Sequence, residues 1–412
     1  MRPSAATSGS SGGPAGLGVD FDIVVVGAGP AGASVAAAMA RRGIAPAARI
    51  ALLSERFAGA PAPDADWNLR VFALNRNSQR LLDSIDAWQR IPAARRHPYQ
   101  RMCVWDATDT ARGARALRFD CADLGESDLG HIVDGEALRW AALEAARQAG
   151  VVAVQARVTG LSFDERAVRL ALDDGRCVRA ALVIGADGAS SPLRALAGIG
   201  TIGHDYHQQA VVAHVRTAAA NLDTAWQRFL PGGPLALLPL QDGRSSIVWS
   251  VPAARAVELC ALAPAEFGRQ LEADSDSVLG ACTLASGRAA FPLRLQHAQH
   301  YVRPRLALVA DAAHSVHPLA GQGLNLGLRD VAALCETLAM APEAIGELAV
   351  LRRYERARKA DNLAASAAFD GLNRLFGNTH PLLSRLRSAG LLAVERSGPL
   401  KRWFARAALD SR

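Results

Sequence analysis

Chemistry-bearing residues cluster most densely at 310–330, ADAAHSVHPLAGQGLNLGLRD. Asp311, His314 and His317 stand there beside a glycine-broken turn through Gly321 and Gly323. A carboxylate and two imidazoles suggest a metal, whereas backbone N–H groups freed by glycines suggest an anion cradle. A metal site needs three or four convergent ligands. Pro318 and the glycines argue against the regular helix that would set both histidines on one face, so no metal is expected. His314 and His317 then read as polar residues packing a turn, with His317 alternatively hydrogen-bonding near a bound ligand or substrate. A second cluster is IVVVGAGPAG, with Gly27, Gly29 and Gly32. In a GxGxxG the first glycine permits a tight turn, the second lets backbone approach a pyrophosphate, and the third lets helix and strand pack closely. The helix N-terminus adds free N–H groups and partial positive charge. A third cluster, VIGADGASSPLR, ends a strand at Asp187-Gly188 and places Arg194 at a helix start. Taken alone it is an ordinary strand-to-helix turn with a capping Asp.

These residues need elements to hold them. FDIVVV (21–26) is a buried parallel strand by composition, followed by the glycine turn, an Ala-rich helix stopping at Gly43, and the strand RIALLSE. That is one βαβ unit. Its second strand should end in a ribose-binding acid. Glu55 is the candidate, displaced by the insertion IAPAA, against the alternative of a solvated surface glutamate. RVFALNRNSQRLLDSIDAW has the apolar spacing of a helix, and DGEALRWAALEAARQAG is a helix closed by Gly150. Residues 161–184 alternate about the turn DDG as a hairpin, and 205–295 hold several strand-like pieces of an antiparallel sheet. Asp311 ends a further buried strand, and everything beyond 330 reads as helical.

At 412 residues the chain exceeds one usual core, so two interleaved domains are expected. Residues 1–18 form a Gly/Ser/Ala/Pro lead-in read as a disordered tail, without the apolar region of a secretory signal. No apolar run approaches the ~20 residues that span a bilayer. Six dispersed cysteines without a CxxC read as buried thiols of a cytoplasmic protein. The net charge of +7 is almost wholly arginine; Lys359 and Lys401 are the lysines, which excludes a Walker phosphate loop and disfavours Schiff-base chemistry. Sparse aromatic residues disfavour a nucleic-acid partner. Residues 384–406 set Arg385, Arg387, Arg396, Lys401, Arg402 and Arg406 among apolar residues: either a membrane-surface helix or the solvated face of a packed one.

The GxGxxG, the mid-chain GADGASSPLR and the late ADAAHSVHPLAGQGLNLGLRD, in that order, resemble the signatures of flavin-dependent aromatic hydroxylases with a para-hydroxybenzoate hydroxylase-like fold. HPLAGQGLNLGLRDV, LRVFALNRNSQRLL, LGHIVDGEALRWAAL and the basic tail are most similar to the ubiquinone-biosynthesis hydroxylases, the UbiH, UbiF and UbiI family, over roughly 20–408. The chain departs from that pattern at Ala310, where the family usually has Gly, at Gly135-Glu136, which receive no cofactor role, and at the displaced Glu55.

The resemblance implies an α/β fold in which a Rossmann-like FAD-binding domain (19–95, 130–200, 296–345) is interleaved with an antiparallel-sheet substrate domain (96–129, 201–295), with a C-terminal helical region (346–412). It implies tightly but non-covalently bound FAD. Gly27, Gly29 and Gly32 would hold the pyrophosphate, Glu55 the ribose, and Asp187 would lie toward the nicotinamide donor. Asp311 would bind the ribityl chain; Pro318, Gly321, Gln322, Gly323 and Asn325 would bed the flavin ring, with Arg70 near the donor approach. NAD(P)H would be the transient donor. O2 and a hydrophobic polyprenylated phenol would be substrates, with His317 the candidate catalytic residue. Other ubiquinone-biosynthesis proteins and an anionic membrane surface would be partners of a cytoplasmic or membrane-peripheral protein. A reductase or halogenase of the same fold, and a non-catalytic flavin-binding scaffold, are the alternatives.

Overall fold

The computed structural model describes residues 20–62, 64–316, 321–377, 390, 392–398 and 401. The expectations for the 1–18 tail, for His317 and Pro318, and for most of 378–412 lie outside the described residues.

The run FDIVVV forms the strand Phe21–Val26, flanked in parallel by Ile50–Ser54 on one side and Cys177–Gly185 on the other. Val152–Gln155 and Leu306–Leu308 extend the parallel sheet at its two sides. Ile23, Val24 and Val25 are fully buried, as the absence of polar residues on either face requires. Helices α1 (Pro30–Arg41), α2 (Arg76–Ser84), α3 (Gly135–Gln148) and α4 (Pro192–Leu196) fall in the first half of the chain. The second half holds α5 (Ala253–Ala261), α6 (Pro264–Asp274), α7 (Gln322–Ala339) and α8 (Leu348–Gly377). Small residues let α1 bury nearly its whole length against the sheet, α3 and α7. The DDG turn joins Val168–Leu172 to Cys177–Gly185 as the expected antiparallel hairpin.

A second, nine-stranded sheet is built mainly from 201–298, with Arg101–Asp106 and Leu117–Asp120 at one edge. Only Arg101–Asp106 pairs in parallel within it, beside Thr224–Leu230. Val211, Ala213, Ile247 and Trp249 face α5 and α6 and make a separate core. Those two helices were not legible in the stretch 205–295, which reads as strands alone. A three-stranded sheet of Val71–Leu74, Gly130–Asp134 and Arg96–Tyr99 stands between the large sheets.

The stretch 70–88 is a correction: it is the strand Val71–Leu74 followed by α2, not one helix. Asn75 interrupts it, since its side chain accepts from Ser78 N as an N-cap, which requires extended backbone at that residue. The cysteines also depart in part from expectation, with Cys103, Cys121, Cys282 and Cys335 buried but Cys177 exposed.

The turn Ala310–Ala312 docks on α7 with little tolerance. Ala310 adopts a left-handed φ of +53°, and a Cβ at Gly327 would lie 2.6 Å from the Ala310 Cβ. Gly327→Ala is expected to cost about 1–3 kcal/mol by overpacking, read as a fall in Tm. Combining it with Ala310→Gly should restore most of the loss, because the clashing partner is gone.

Candidate functional site

Three segments far apart in sequence converge at the carboxyl ends of the parallel strands. Ala186 N donates to Val26 O at 2.8 Å and Gly27 N to Leu53 O at 2.8 Å, so the first glycine loop and the Asp187 turn are bonded edge to edge. Gly27 has φ +107°, and a Cβ there would lie 2.4 Å from Ala186 O. A Cβ at Gly32 would lie 1.9 Å from Gly27 O. Both glycines are therefore demanded by the protein's own packing. Gly29 differs: it N-caps α1 with ordinary extended backbone, and a Cβ there would meet nothing within 4 Å. Its missing side chain leaves space that no protein atom fills, next to a helix start with no side-chain cap and no acidic residue in its first turn. This is the geometry of an anion cradle.

Arg139 of α3 lies across the loop, donating to Ala28 O at 3.2 Å and to Arg56 O at 3.1 Å. It supplies positive charge beside the cradle and was missed in the sequence, where an arginine on a helix carries no distinguishing signal. Glu55 lies just beyond the strand end at Ser54, largely exposed and 3.9 Å from Arg157.

Asp187 accepts from Leu193 N at 2.9 Å, capping α4, while its Oδ1 is buried with no protein partner among the described residues. Burial pushes its carboxyl above the ordinary carboxylate range. Arg194, buried in α4, donates to Ala189 O and to Ala312 O, each at 2.8 Å. It thereby ties the Asp187 turn to the Asp311 turn. Asp311 itself is half-buried and accepts no hydrogen bond among the described residues.

The start of α7 is capped by Gly321 in the left-handed region, φ +66°. A Cβ at Gly321 would lie 3.2 Å from the Ala73 Cβ, so α7 abuts the three-stranded sheet there. Gln322 and Gly323 are the first two helical residues, two positions earlier than a helix beginning after Gly323. The Asn325 side chain is engaged by protein: its Oδ1 accepts from Asn75 N and Ser78 Oγ, and its Nδ2 donates to Ala73 O. That amide locks α7 to α2 and the strand before it. Arg70 is exposed, with its guanidinium over the Phe72 ring at 5.1 Å.

Beyond α7 lies the second sheet. On the face opposite its α5–α6 core, Ala236, Leu238 and Val248 stay half-exposed although they sit on central strands. Trp67, Ala73, Ile132 and Leu240 close one flank of that face, and Val104, Phe229 and Phe376 pack at another. That face of the sheet is therefore apolar and only partly covered. His214 and Ser246, opposite one another in register on the same face, are buried, with Nδ1 and Oγ unpartnered among the described residues. His214 Nε2 contacts Asn68 O at 3.1 Å, and burial lowers its pKa, so the imidazole is neutral. Neither residue carries a motif that marks it in the sequence.

Among the described residues no group of three His, Cys, Asp or Glu side chains could hold a metal ion. Instead, His314 is sealed in a polar network at the back of the Asp311 turn, with His297 and Tyr301 beside it. His297 contacts Ser366 Oγ at 2.8 Å and Tyr301 OH at 3.2 Å.

The residues present fit a dinucleotide cofactor: an open cradle at Gly29, an uncapped helix start, the flanking Arg139, and an unsatisfied buried oxygen on Asp187. A model of the FAD binding domain family matches residues 20–367. The chain is 38% identical to 3-demethoxyubiquinol 3-hydroxylase of Escherichia coli, covering 94% of this chain and 98% of that one. It is 37% identical to the ubiquinone hydroxylase UbiL of Rhodospirillum rubrum, covering 95% and 90%. The fold is similar to that of p-nitrophenol 4-monooxygenase from Pseudomonas putida, with a TM-score of 0.75 at 19% identity, covering 96% of this chain and 100% of that one.

Two outcomes follow from the site. Gly29→Ala should leave the fold within about 1 kcal/mol of wild type but abolish tight cofactor retention, whereas Gly32→Ala should lower Tm markedly; thermal melts with flavin titration separate them. His297, held down to about 4 mainly by burial and further by His314 and Lys359, stays neutral where an ordinary histidine (6.5) would charge. Its contribution is intact above pH 6.5 and lost as the pH falls toward 4, because only the unfolded chain takes the proton. Tm should drop by roughly 5 °C more for wild type than for His297→Gln over that window.

Proposed function

The chain belongs to the FAD-dependent ubiquinone-biosynthesis hydroxylases, and from that premise we propose that its substrate is a phenol ring bearing a polyprenyl tail, held against the apolar face of the second sheet. It is an FAD-dependent monooxygenase. The observation that carries the substrate class is the half-exposed Ala236, Leu238 and Val248 on central strands, since apolar side chains left open inside a fold favour an apolar ligand.

Bound FAD supplies the activation of O2 with electrons from NAD(P)H. The chain's share is binding, orientation and exclusion of water. Gly27, Gly29 and Gly32 with α1 and Arg139 would hold the pyrophosphate, Asp187 would lie toward the donor, Asp311 would hold the ribityl chain, and Gly321 to Gly323 would line the ring. The N-terminus of α7, which has no side-chain cap, would favour negative charge there. Neutral His214, with Nδ1 free to accept, is suited to a ring hydroxyl, and the apolar face keeps water away. An acceptor near the hydroxyl would make the ring more electron-rich, which electrophilic oxygen transfer requires.

No helix among the described residues is long and apolar enough to cross a membrane. A prenylated substrate resides in lipid, so peripheral contact with an anionic bilayer and with other enzymes of the pathway belongs to the same proposal; co-sedimentation with anionic vesicles tests it.

Purified protein should carry FAD and consume NAD(P)H and O2 with a prenylphenol. With isotope-labelled O2, one labelled oxygen should appear on the product ring. NAD(P)H oxidation without ring oxygen would favour a reductase, and bound FAD without oxidation a scaffold. Ala236→Phe, crowding that face, should raise KM for the prenylated substrate about tenfold or more while leaving FAD bound.

A further inference from the structure

We propose that Asp330 is a positioning residue for the cofactor, one carboxylate that holds both ends of the turn carrying Asp311. The inference rests on the FAD reading above and deepens it. Asp330 is fully buried in α7. Its Oδ2 accepts from Ala310 N at 3.1 Å and contacts His314 Nε2 at 2.5 Å, as acceptor from that ring nitrogen. The two donors are the residues just before Asp311 and three after it, so one oxygen closes the turn on itself. The other oxygen, Oδ1, accepts from Arg358 Nε at 2.9 Å and Asn362 Nδ2 at 3.1 Å, both on α8. Arg358 balances the buried charge and is itself held by Asn362 Oδ1 at 2.8 Å.

Among the described residues four protein groups donate to this carboxylate, which is fully buried. Its effect on a cofactor therefore passes through the turn. Ala310 needs such a hold, because a left-handed non-glycine backbone is unfavourable and relaxes unless its surroundings pin it. Its Cβ is stopped by Gly327, one turn of helix before Asp330 on the same face of α7. Steric contact and carboxylate thus fix the same residue from one helix. Arg194, donating to Ala312 O, holds the middle of the turn from the opposite side. Asp311 is the member of this turn left without a protein donor among the described residues, presented by a backbone that cannot move.

General stability does not explain the arrangement. A buried ion pair is often no more stabilising than apolar residues of similar volume, but it does select one geometry. The geometry selected here is that of the Asp311 turn.

The test compares purified His314→Gln, His314→Leu and Asp330→Asn with wild type. It reads the FAD dissociation constant, the flavin visible absorption band, the midpoint potential of bound FAD, and the Tm of each protein stripped of FAD. His314→Leu removes a donor at similar volume, whereas His314→Gln keeps an N–H within reach of Asp330. His314→Leu and Asp330→Asn should weaken FAD binding about tenfold or more, the loss of one charge-assisted hydrogen bond, and shift the band or the potential. His314→Gln should restore both. Wild-type FAD affinity, band and potential in His314→Leu or in Asp330→Asn would overturn the proposal. So would a binding loss that merely follows a lowered Tm and that His314→Gln fails to rescue. A variant that does not fold leaves the other to decide. Wild-type protein that binds no FAD would instead refute the flavin reading itself.

Discussion

The structure depends on a place where three backbones meet with no room for a side chain between them. Gly27 O lies where a Cβ of Gly32 would sit, and Ala186 O where a Cβ of Gly27 would sit. This contact presses α1 onto the parallel sheet and brings the Asp187 turn beside the glycine loop. It follows that the N-terminus of α1 opens at the carboxyl edge of the strands, where parallel sheets commonly receive ligands. Gly29, the glycine without a packing reason of its own, marks the direction from which a ligand must come.

From that contact outward, polar side chains tie the remaining pieces. Arg194 joins the Asp187 turn to the Asp311 turn, Asp330 closes the Asp311 turn and anchors it to α8, and Asn325 locks α7 to α2. Each is buried and each bonds backbone. A flavin site assembled from distant segments needs such bonds because hydrophobic packing is non-directional and does not by itself fix a turn to within a hydrogen bond's tolerance. The second sheet contributes differently. It devotes one face to a core with α5 and α6 and leaves apolar side chains on the other only partly buried.

Much of this was legible in residue order. The strand–glycine–helix unit is visible because its signals are local: a nonpolar run, glycines at fixed offsets, an alanine-rich helix. The hairpin about Asp173-Asp174-Gly175 is visible for the same reason. The stretch 70–88 was misread as one helix because a four-residue strand followed by α2 shares the apolar spacing of a longer helix, and only the cap at Asn75 separates them. Nor does any local signal show that the Asn325 amide is taken by a strand and a helix some 250 residues earlier.

The sequence by itself determined the family, the cofactor class and the glycine loop, because short-range spacing and residue type suffice to specify a cradle for a dinucleotide. Only the tertiary structure decided which glycine is open to a ligand, that His314 is a partner of Asp330, and how Arg139, His214 and Ser246 are placed. The reason is physical. A side chain's role depends on what surrounds it once buried, and those surroundings come from segments hundreds of residues apart that meet only when the apolar sheets pack.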